Sequence, residues 1–582
     1  MKLPVYPALL LASFVFCHCS SEPSTPLSPV PLEHIETGGE LARRIHRNFD
    51  RMETPLYQPE KVYWTEKESG GWPADKEGRT ILALTLDARA SHRQPKYLSQ
   101  LIDMLPSHLN EKGYLGTIHP GVDEQQLSGH GWLLRGLCEY YDWTGDERAL
   151  GYAKTIADSL FLPILPYVGK YPSDPSERIA DTGDMSGSAQ NTVNGWRLSS
   201  DVGCVFIGME GLIHYYRYDR DPRIGELIDE LIGLYLSIDL VRIKAQTHAS
   251  LTGVRGLLRY AALTGNDTLV AEADKRWQTY KHYGMTENFE NYNWFGRYDT
   301  WTEPCAIIDS YLAAVQLWAA TRRPDYLEDA EMIYLNGIAA TQRENGGFGC
   351  DKPVGVDFHD LSIHADEAHW CCTMRGGEGL GRAAQYAYFT AGDTLFVPFY
   401  RTNRLTIPEK GLTLTQNTRY PFDSTVVFRF EKAPRQALTL ALPAPSYLRP
   451  DEITLNGETL PFKKENGFLL LTRTFAPQDE IALRYSFDSS WQPLLNRDIA
   501  DTSLRKAMFG PLVLGNDGKK TMDPRDTRQA PQRIGDSFRF TTASGDTLRP
   551  LYHLLDPDVS LRNKYRRGVI GTWDVKQNNT DR

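Results

Sequence analysis

From about residue 36 to 390 the apolar residues of this 582-residue chain recur at helical spacing, and from 391 they alternate along short runs. No other feature narrows the possible folds as much. In the first region one pattern returns four times. Leu133 to Trp143 is followed by Thr144-Gly145-Asp146, and Gly211 to Tyr218 by Asp219-Arg220-Asp221-Pro222. Val254 to Leu263 is followed by Thr264-Gly265-Asn266, and Ala313 to Ala320 by Thr321-Arg322-Arg323-Pro324. Each piece reads as a helix, a short polar turn and a second helix. Helical pairs that need a neighbour to bury their apolar faces assemble into a closed ring or a solenoid. The copies are unevenly spaced, which leaves room for long loops on one rim, so an all-α (α/α)6-type barrel carrying a site is expected over 36–390.

The later runs include Val426-Val427-Phe428-Arg429-Phe430, Leu438-Thr439-Leu440-Ala441-Leu442 and Ile481-Ala482-Leu483-Arg484-Tyr485, set apart by Pro, Gly, Asn and Asp. They predict an all-β sandwich over 391–490. Gly510-Pro511-Leu512-Val513-Leu514 and Phe538-Arg539-Phe540-Thr541 make 491–582 a second small β-sandwich or an extension of the first. At the other end, Met1-Lys2, the apolar Leu9 to Phe16 and the exit Cys17-His18-Cys19-Ser20-Ser21 have the order of an export signal. Residues 1–19 are expected to be a signal peptide, of lipoprotein type if Cys17 or Cys19 is lipidated, and 20–35 a Ser/Pro-rich linker. The apolar run is shorter than the ~20 residues that span a bilayer. The expectation is an exported protein of the periplasm or cell surface, with a lipid anchor to the outer membrane as one option. A net charge of −10 without a basic run argues against nucleic acid and against an anionic membrane surface as partners.

Outside the leader the cysteines are Cys138, Cys204, Cys305, Cys350, Cys371 and Cys372, too few for a disulfide scaffold in a chain of this length. Cys138 and Cys204 sit in apolar helical contexts, where a buried free thiol is the ordinary reading. The pair Cys371-Cys372 and the triplet Glu303-Pro304-Cys305 offer three thiolates and one carboxylate, a closed tetrahedral set for Zn2+. Disulfide pairing, a vicinal Cys371-Cys372 bridge included, competes for the same residues. His359, His364, His369 and Cys350 lie between the two halves, and any one could replace a ligand. Glu287 stands sixteen residues before Glu303 in an aromatic-rich stretch, where it either lines a sugar cleft or is a solvated charge.

Together these pieces resemble glycoside hydrolase family 127 and its relative family 146, the β-L-arabinofuranosidase-like zinc-cysteine glycosidases. Gly71-Trp72 with Glu77-Gly78-Arg79, Gly113-Tyr114-Leu115-Gly116-Thr117, Gly129-His130 and Thr247-His248-Ala249 are similar to motifs of that family. Most specific is the order Glu287, Glu303-x-Cys305, Cys371-Cys372, with the family's sixteen-residue step between the two glutamates. The resemblance implies that Glu303, Cys305, Cys371 and Cys372 bind zinc, that Cys371 is the nucleophile and Glu287 the general acid/base, and that His130 and His248 bind substrate. Metal coordination keeps a thiol deprotonated at neutral pH, so a cysteine can replace the carboxylate nucleophile of a retaining glycosidase.

The chain also departs from the family. Thr373-Met374-Arg375-Gly376-Gly377 stands where Pro-Pro-Asn is usual, and Pro304 where Thr is common. Arg375 could bind a substrate carboxylate or cap a helix, and Asp201 could stand in for a family histidine missing between Trp196 and Cys204. The expected activity is retaining exo-hydrolysis of a terminal L-furanose, β-L-arabinofuranose-like, from an oligosaccharide or polysaccharide of plant type. One alternative keeps the mechanism but takes an acidic or branched pectic sugar such as aceric acid of rhamnogalacturonan-II. Others are an (α/α)-barrel lyase or unsaturated-uronide hydrolase, and a non-catalytic glycan-binding surface protein.

Overall fold

The structure is a computed structural model that describes residues 27–63, 71–179, 187–357, 361–515, 527–535 and 537–551. The leader expected at 1–19 lies outside the described residues, as does His359. Six helices form an inner ring: α1 (Asp75–Ser91), α2 (Glu124–Thr144), α3 (Val205–Tyr216), α4 (Thr247–Thr264), α5 (Pro304–Thr321) and α6 (Cys372–Gln385). Each packs against the next, and α6 closes the ring on α1. Shorter or more amphipathic helices lie outside them, at Gly39–Met52, Leu98–His108, Glu147–Ile156, Pro222–Ser237, Asp267–Tyr283 and Asp325–Ile333. The expected (α/α)6 barrel is therefore what the chain forms, and the ring contains two inner helices, α1 and α6, beyond the four repeated pieces.

Turn chemistry closes the hairpins. Gly145 and Gly265 take φ of 72° and 73° at the ends of α2 and α4, a left-handed conformation that glycine adopts without a Cβ clash. Asp146, Asp221 and Asn266 then cap the following helices, accepting from the backbone N–H of Arg148, Arg223 and Thr268. These tight turns join the C-terminal ends of inner helices to outer ones. The return connections, residues 157–204, 284–303 and 342–371, are long and carry only short elements, so the N-terminal mouth of the ring is where loops accumulate.

Beyond residue 388 two sheets form the sandwich. One has seven strands, with Thr425–Lys432 and Glu480–Phe487 at its centre, and the other six, with Leu438–Pro443 paired to Phe468–Arg473. Part of the stretch expected as a linker belongs to them. Ser28–Pro29 pairs with Phe389–Ala391, Ile35–Thr37 pairs with Asn403–Ile407, and Val30, Leu32 and Ile35 are buried. The tether reading missed this because Pro and Ser dominate the stretch, while the strands it pairs with lie more than 350 residues away.

Among the described residues after 488 the chain forms one further sheet and no second sandwich, ordered Ser489–Pro493, Arg505–Phe509, Leu512–Gly515, Thr547–Pro550, Phe540–Thr541 and Gln532–Arg533. Ala507, Leu512 and Leu514 on one of its faces and Met508 and Val513 on the other join the core of the barrel, whereas the sandwich keeps a core of its own. Asn336 ties it down at two points, donating to the Pro511 carbonyl at 2.8 Å and accepting from the Val513 N–H at 2.9 Å.

Candidate metal centre

A cavity of about 480 Å³ opens at the N-terminal mouth of the ring. Five of the six inner helices present their first turns or N-terminal flanks to it: Asp75 and Arg79 from α1, Asp201 and Ile207 at α3, Gln246 and His248 at α4, Glu303 at α5, Cys371 and Cys372 at α6. The metal set follows from how α5 and α6 begin. Pro304 is at the first position of α5, where its missing N–H costs nothing, so Glu303 becomes the N-cap and Cys305 falls in the first turn. The Glu303 side chain makes no capping bond and remains available. Cys371 is the N-cap residue of α6 and Cys372 its first residue. All three sulfurs thus lie at the positive ends of two adjacent helices, a placement that favours thiolate.

The four ligand atoms lie within 4.8 Å of one another. Cys371 Sγ is 3.3 Å from Cys372 Sγ, which is 3.7 Å from Cys305 Sγ. Thiolates on a tetrahedral zinc at ~2.3 Å stand about 3.8 Å apart, so the spacing suits the ion. All six described cysteines are free thiols. Cys305 and Cys372 are buried, and Cys371 alone of the three is partly open, on the cavity side.

Burial disfavours the charged form of each donor in the set. Burial pushes the Cys305 and Cys372 thiols well up. At Cys371 the hydrogen bond from Cys305 works downward, and the bond to Cys372 together with burial outweighs it. Burial, with Asp201 nearby, pushes Glu303 up to about 8 against the pull of Arg79. A dication would reverse all four shifts. The neighbours already hold the ligands in place. Arg79 Nη1 is 3.4 Å from Cys305 Sγ, Gln246 Nε2 donates to Glu303 Oε2 at 3.3 Å, and Asn293, its amide turned as its neighbours require, donates to the same oxygen at 2.8 Å.

Two family models match, the β-L-arabinofuranosidase GH127 catalytic domain over residues 80–384 and the GH127 middle domain over 394–487. The chain belongs to the GH127 family. It is a glycoside hydrolase. The solved GH127 β-arabinofuranosidase BT3674 is similar at 16% identity and a TM-score of 0.64, over 92% of this chain and 96% of that one. The GH127 β-L-arabinofuranosidase Ara127N-Se from Geobacillus stearothermophilus T6 is similar at 16% identity and a TM-score of 0.62, over 88% and 91%. At these identities the likeness shows the shared fold. No curated protein sequence matches the chain.

Two residues implied by the family resemblance, Glu287 and His130, and Arg375, offered where the sequence departs from the family, lie away from the cavity wall in this GH127 chain. Glu287 is not on the cavity wall. It is fully buried, and its carboxylate accepts from the backbone N–H of Leu495 at 2.8 Å and Asn496 at 2.9 Å and from Lys506 Nζ at 3.1 Å. That saturated carboxylate fastens the third sheet to the barrel and does not reach the cavity. His130 is a satisfied core histidine: Nε2 accepts from the Leu115 N–H at 3.0 Å and Nδ1 donates to the Gln126 carbonyl at 2.8 Å. Arg375 neither meets the cavity nor caps a helix. It is ion-paired to Asp309 at 2.7 Å and to Glu378, with its guanidinium 4.4 Å above the Trp132 ring.

His248 is where the resemblance implies a substrate group. It lines the cavity, its Nδ1 is 2.7 Å from Asp309 Oδ2, and its Nε2 is buried without a partner. His364 also lines the cavity but is stacked on Trp301 at 4.9 Å, and His369 packs edge-on against Trp370. The layer under the metal set was not anticipated. Arg79, Arg135 and Arg375 all stack on Trp132, at 4.3, 4.5 and 4.4 Å, with Asp309, Glu378 and Glu210 as counter-charges. Its one sequence signal is charge inside otherwise apolar helices, such as Asp309 in α5 and Arg135 in α2.

Proposed function

We propose that this GH127 glycoside hydrolase is a retaining exo-enzyme that releases a terminal β-L-arabinofuranose-like sugar from plant-type glycans, with Cys371 as nucleophile. The observation that carries the reading is that Cys371, on the cavity wall at the positive end of α6, is the one cysteine of the donor set that is not buried. Glu303, Cys305, Cys371 and Cys372 would hold Zn2+, whose charge, when bound, keeps the thiols deprotonated at neutral pH.

Cys371 Sγ bonds to the anomeric carbon as the bond from that carbon to the aglycone oxygen breaks, and the oxygen takes up a proton. Water then replaces the sulfur from the opposite side, so two inversions restore the configuration. Three carboxylates line the described wall. Glu303 belongs to the metal set and Asp75 forms an ion pair with the buried Arg79 at 2.9 Å, and proton transfer is assigned to Asp201, whose Oδ1 accepts from the Gly187 N–H at 3.2 Å. His248 directs its Nδ1–H at Asp309, which leaves Nε2 as an acceptor for a sugar hydroxyl. The acidic-sugar alternative has lost the cation assigned to it in Arg375, while Arg79 is paired to Asp75 and Lys76 donates to the Lys61 carbonyl at 2.7 Å. The leader-like start of the chain supports action outside the cytoplasm.

The test is hydrolysis of an aryl β-L-arabinofuranoside by wild type, Cys371→Ala, Asp201→Asn and Glu287→Gln. Cys371→Ala should lose all turnover, Asp201→Asn about 10²- to 10⁴-fold, and Glu287→Gln should keep its rate below its own melting temperature. Undiminished hydrolysis by Cys371→Ala would sink the reading, and a dead Glu287→Gln beside an active Asp201→Asn would return the acid/base role to Glu287.

A further inference from the structure

The cavity holds one sulfur more than a four-coordinate metal needs. Cys350 shares its wall with Cys371 and Cys372 and is only 6% exposed. It stands outside the group whose donor atoms are within 4.8 Å of one another. Cys350 opens the strand Cys350–Lys352, whose register against Ser362–Ala365 shifts between Cys350 and Asp351. Such an irregularity re-aims a side chain. Arg343 holds the backbone there, donating to the Cys350 carbonyl at 3.2 Å and to Asp351 Oδ1 at 2.7 Å. With the main chain anchored, rotation about χ1 is the motion left to the Cys350 sulfur.

We propose that Cys350 is a reserve metal ligand, which takes the coordination position of Cys371 when that sulfur leaves the metal. The inference rests on the reading of Cys371 as nucleophile. A sulfur bonded to carbon carries no negative charge and is a poor zinc ligand, so a metal held by Glu303, Cys305 and Cys372 alone would be under-coordinated whenever Cys371 is occupied. Cys350 supplies the missing thiolate, giving its proton to cavity water, and takes the proton back when Cys371 returns. The total stays at three thiolates and one carboxylate.

Metal content and the sulfur-to-cobalt charge-transfer band of the Co2+-substituted protein test this without reference to turnover. Wild type, Cys350→Ala and Cys371→Ala should each bind one metal with a three-thiolate band. Cys350→Ala/Cys371→Ala should show a two-thiolate band and bind at least about 100-fold more weakly. A two-thiolate band in Cys371→Ala, or a double variant indistinguishable from it, overturns the proposal. Iodoacetamide labelling gives a second readout: Cys350 should label in metal-loaded wild type and be protected in metal-loaded Cys371→Ala, and equal labelling in the two overturns it. If Cys371→Ala does not fold, wild type alkylated at Cys371 alone takes its place in both measurements. A wild type that binds metal as described but hydrolyses no glycoside would count against the proposed activity and leave the ligand result standing.

Discussion

His130 and His248 carry the same perturbation to different ends. Burial pushes both down to about 4, opposed at His130 by the Gln126 carbonyl and at His248 by Asp309, while Arg79 and Arg375 help depress His248. A histidine in the unfolded chain titrates near ~6.5. Below that pH the unfolded state takes up protons that the folded state refuses, so stability is complete above about 6.5 and falls as the pH drops toward 4. Each buried ring contributes at most about 3 kcal/mol to that loss. Melting temperatures between pH 7 and 4 check it: His130→Gln should start lower than wild type and decline less steeply, and parallel curves would refute the assignment. The sequence presents both histidines in the same helical setting. Only the positions of Leu115 and Asp309, one a loop N–H and the other on a different helix, make one a sealed core residue and the other a wall of the cavity.

At the scale of the elements, the inner ring depends on helices that touch backbone to backbone. A Cβ on Gly78 of α1 would sit 2.2 Å from the Leu133 nitrogen of α2, and one on Gly211 of α3 would sit 2.3 Å from the Gly131 carbonyl oxygen of α2. Main-chain atoms cannot rotate aside as a flexible side chain can. Gly211→Ala should therefore cost about 3 kcal/mol, the upper end of overpacking penalties. Gly151, on an outer helix with nothing within 4 Å, is the contrast: Gly151→Ala should be neutral or stabilise by up to about 1 kcal/mol. Urea denaturation of the two variants separates the cases, and equal midpoints would remove the close-approach argument. The turns of the hairpins were legible because cap chemistry is local, and Asp146, Asp221 and Asn266 cap where their sequence context says. Gly78 and Gly211 were not legible as contacts, because the backbone each meets belongs to a helix about fifty or more residues away in the chain.

Across the whole molecule, Glu287 couples the barrel to the third sheet. Its carboxylate binds two backbone N–H groups of the 495–496 turn and the buried Lys506, whose ammonium burial pushes down and Glu287 pulls back up. Glu287→Ala leaves the lysine and both N–H groups without their partner, at a cost of about 3–5 kcal/mol. Limited proteolysis should then cleave between 488 and 515 well before the barrel, and a cleavage pattern identical to wild type would show that the apolar packing of the sheet holds it unaided. The opposite end of the chain is fastened similarly, by Ser28–Pro29 and Ile35–Thr37 in the two sheets of the sandwich. Removing residues 27–37 would expose both sheet edges.

By itself the sequence determined the period of each half, the polar turns that pair the helices, and the order and kind of the four residues that could hold a metal ion. All of these are properties of neighbours along the chain: a period of 3.6 or 2, a cap, a Glu-Pro-Cys at a helix start. Only the tertiary structure decided which ionisable groups face the cavity. Glu287, His130 and Arg375 read as site residues and are held by partners at 495, 115 and 309, whereas Asp201, Arg79 and Cys350 come to the wall from three separate elements. The physical reason is that a side chain's chemistry is set by what desolvates it and what charge or hydrogen bond it meets, and in a closed ring of helices those partners are remote in sequence.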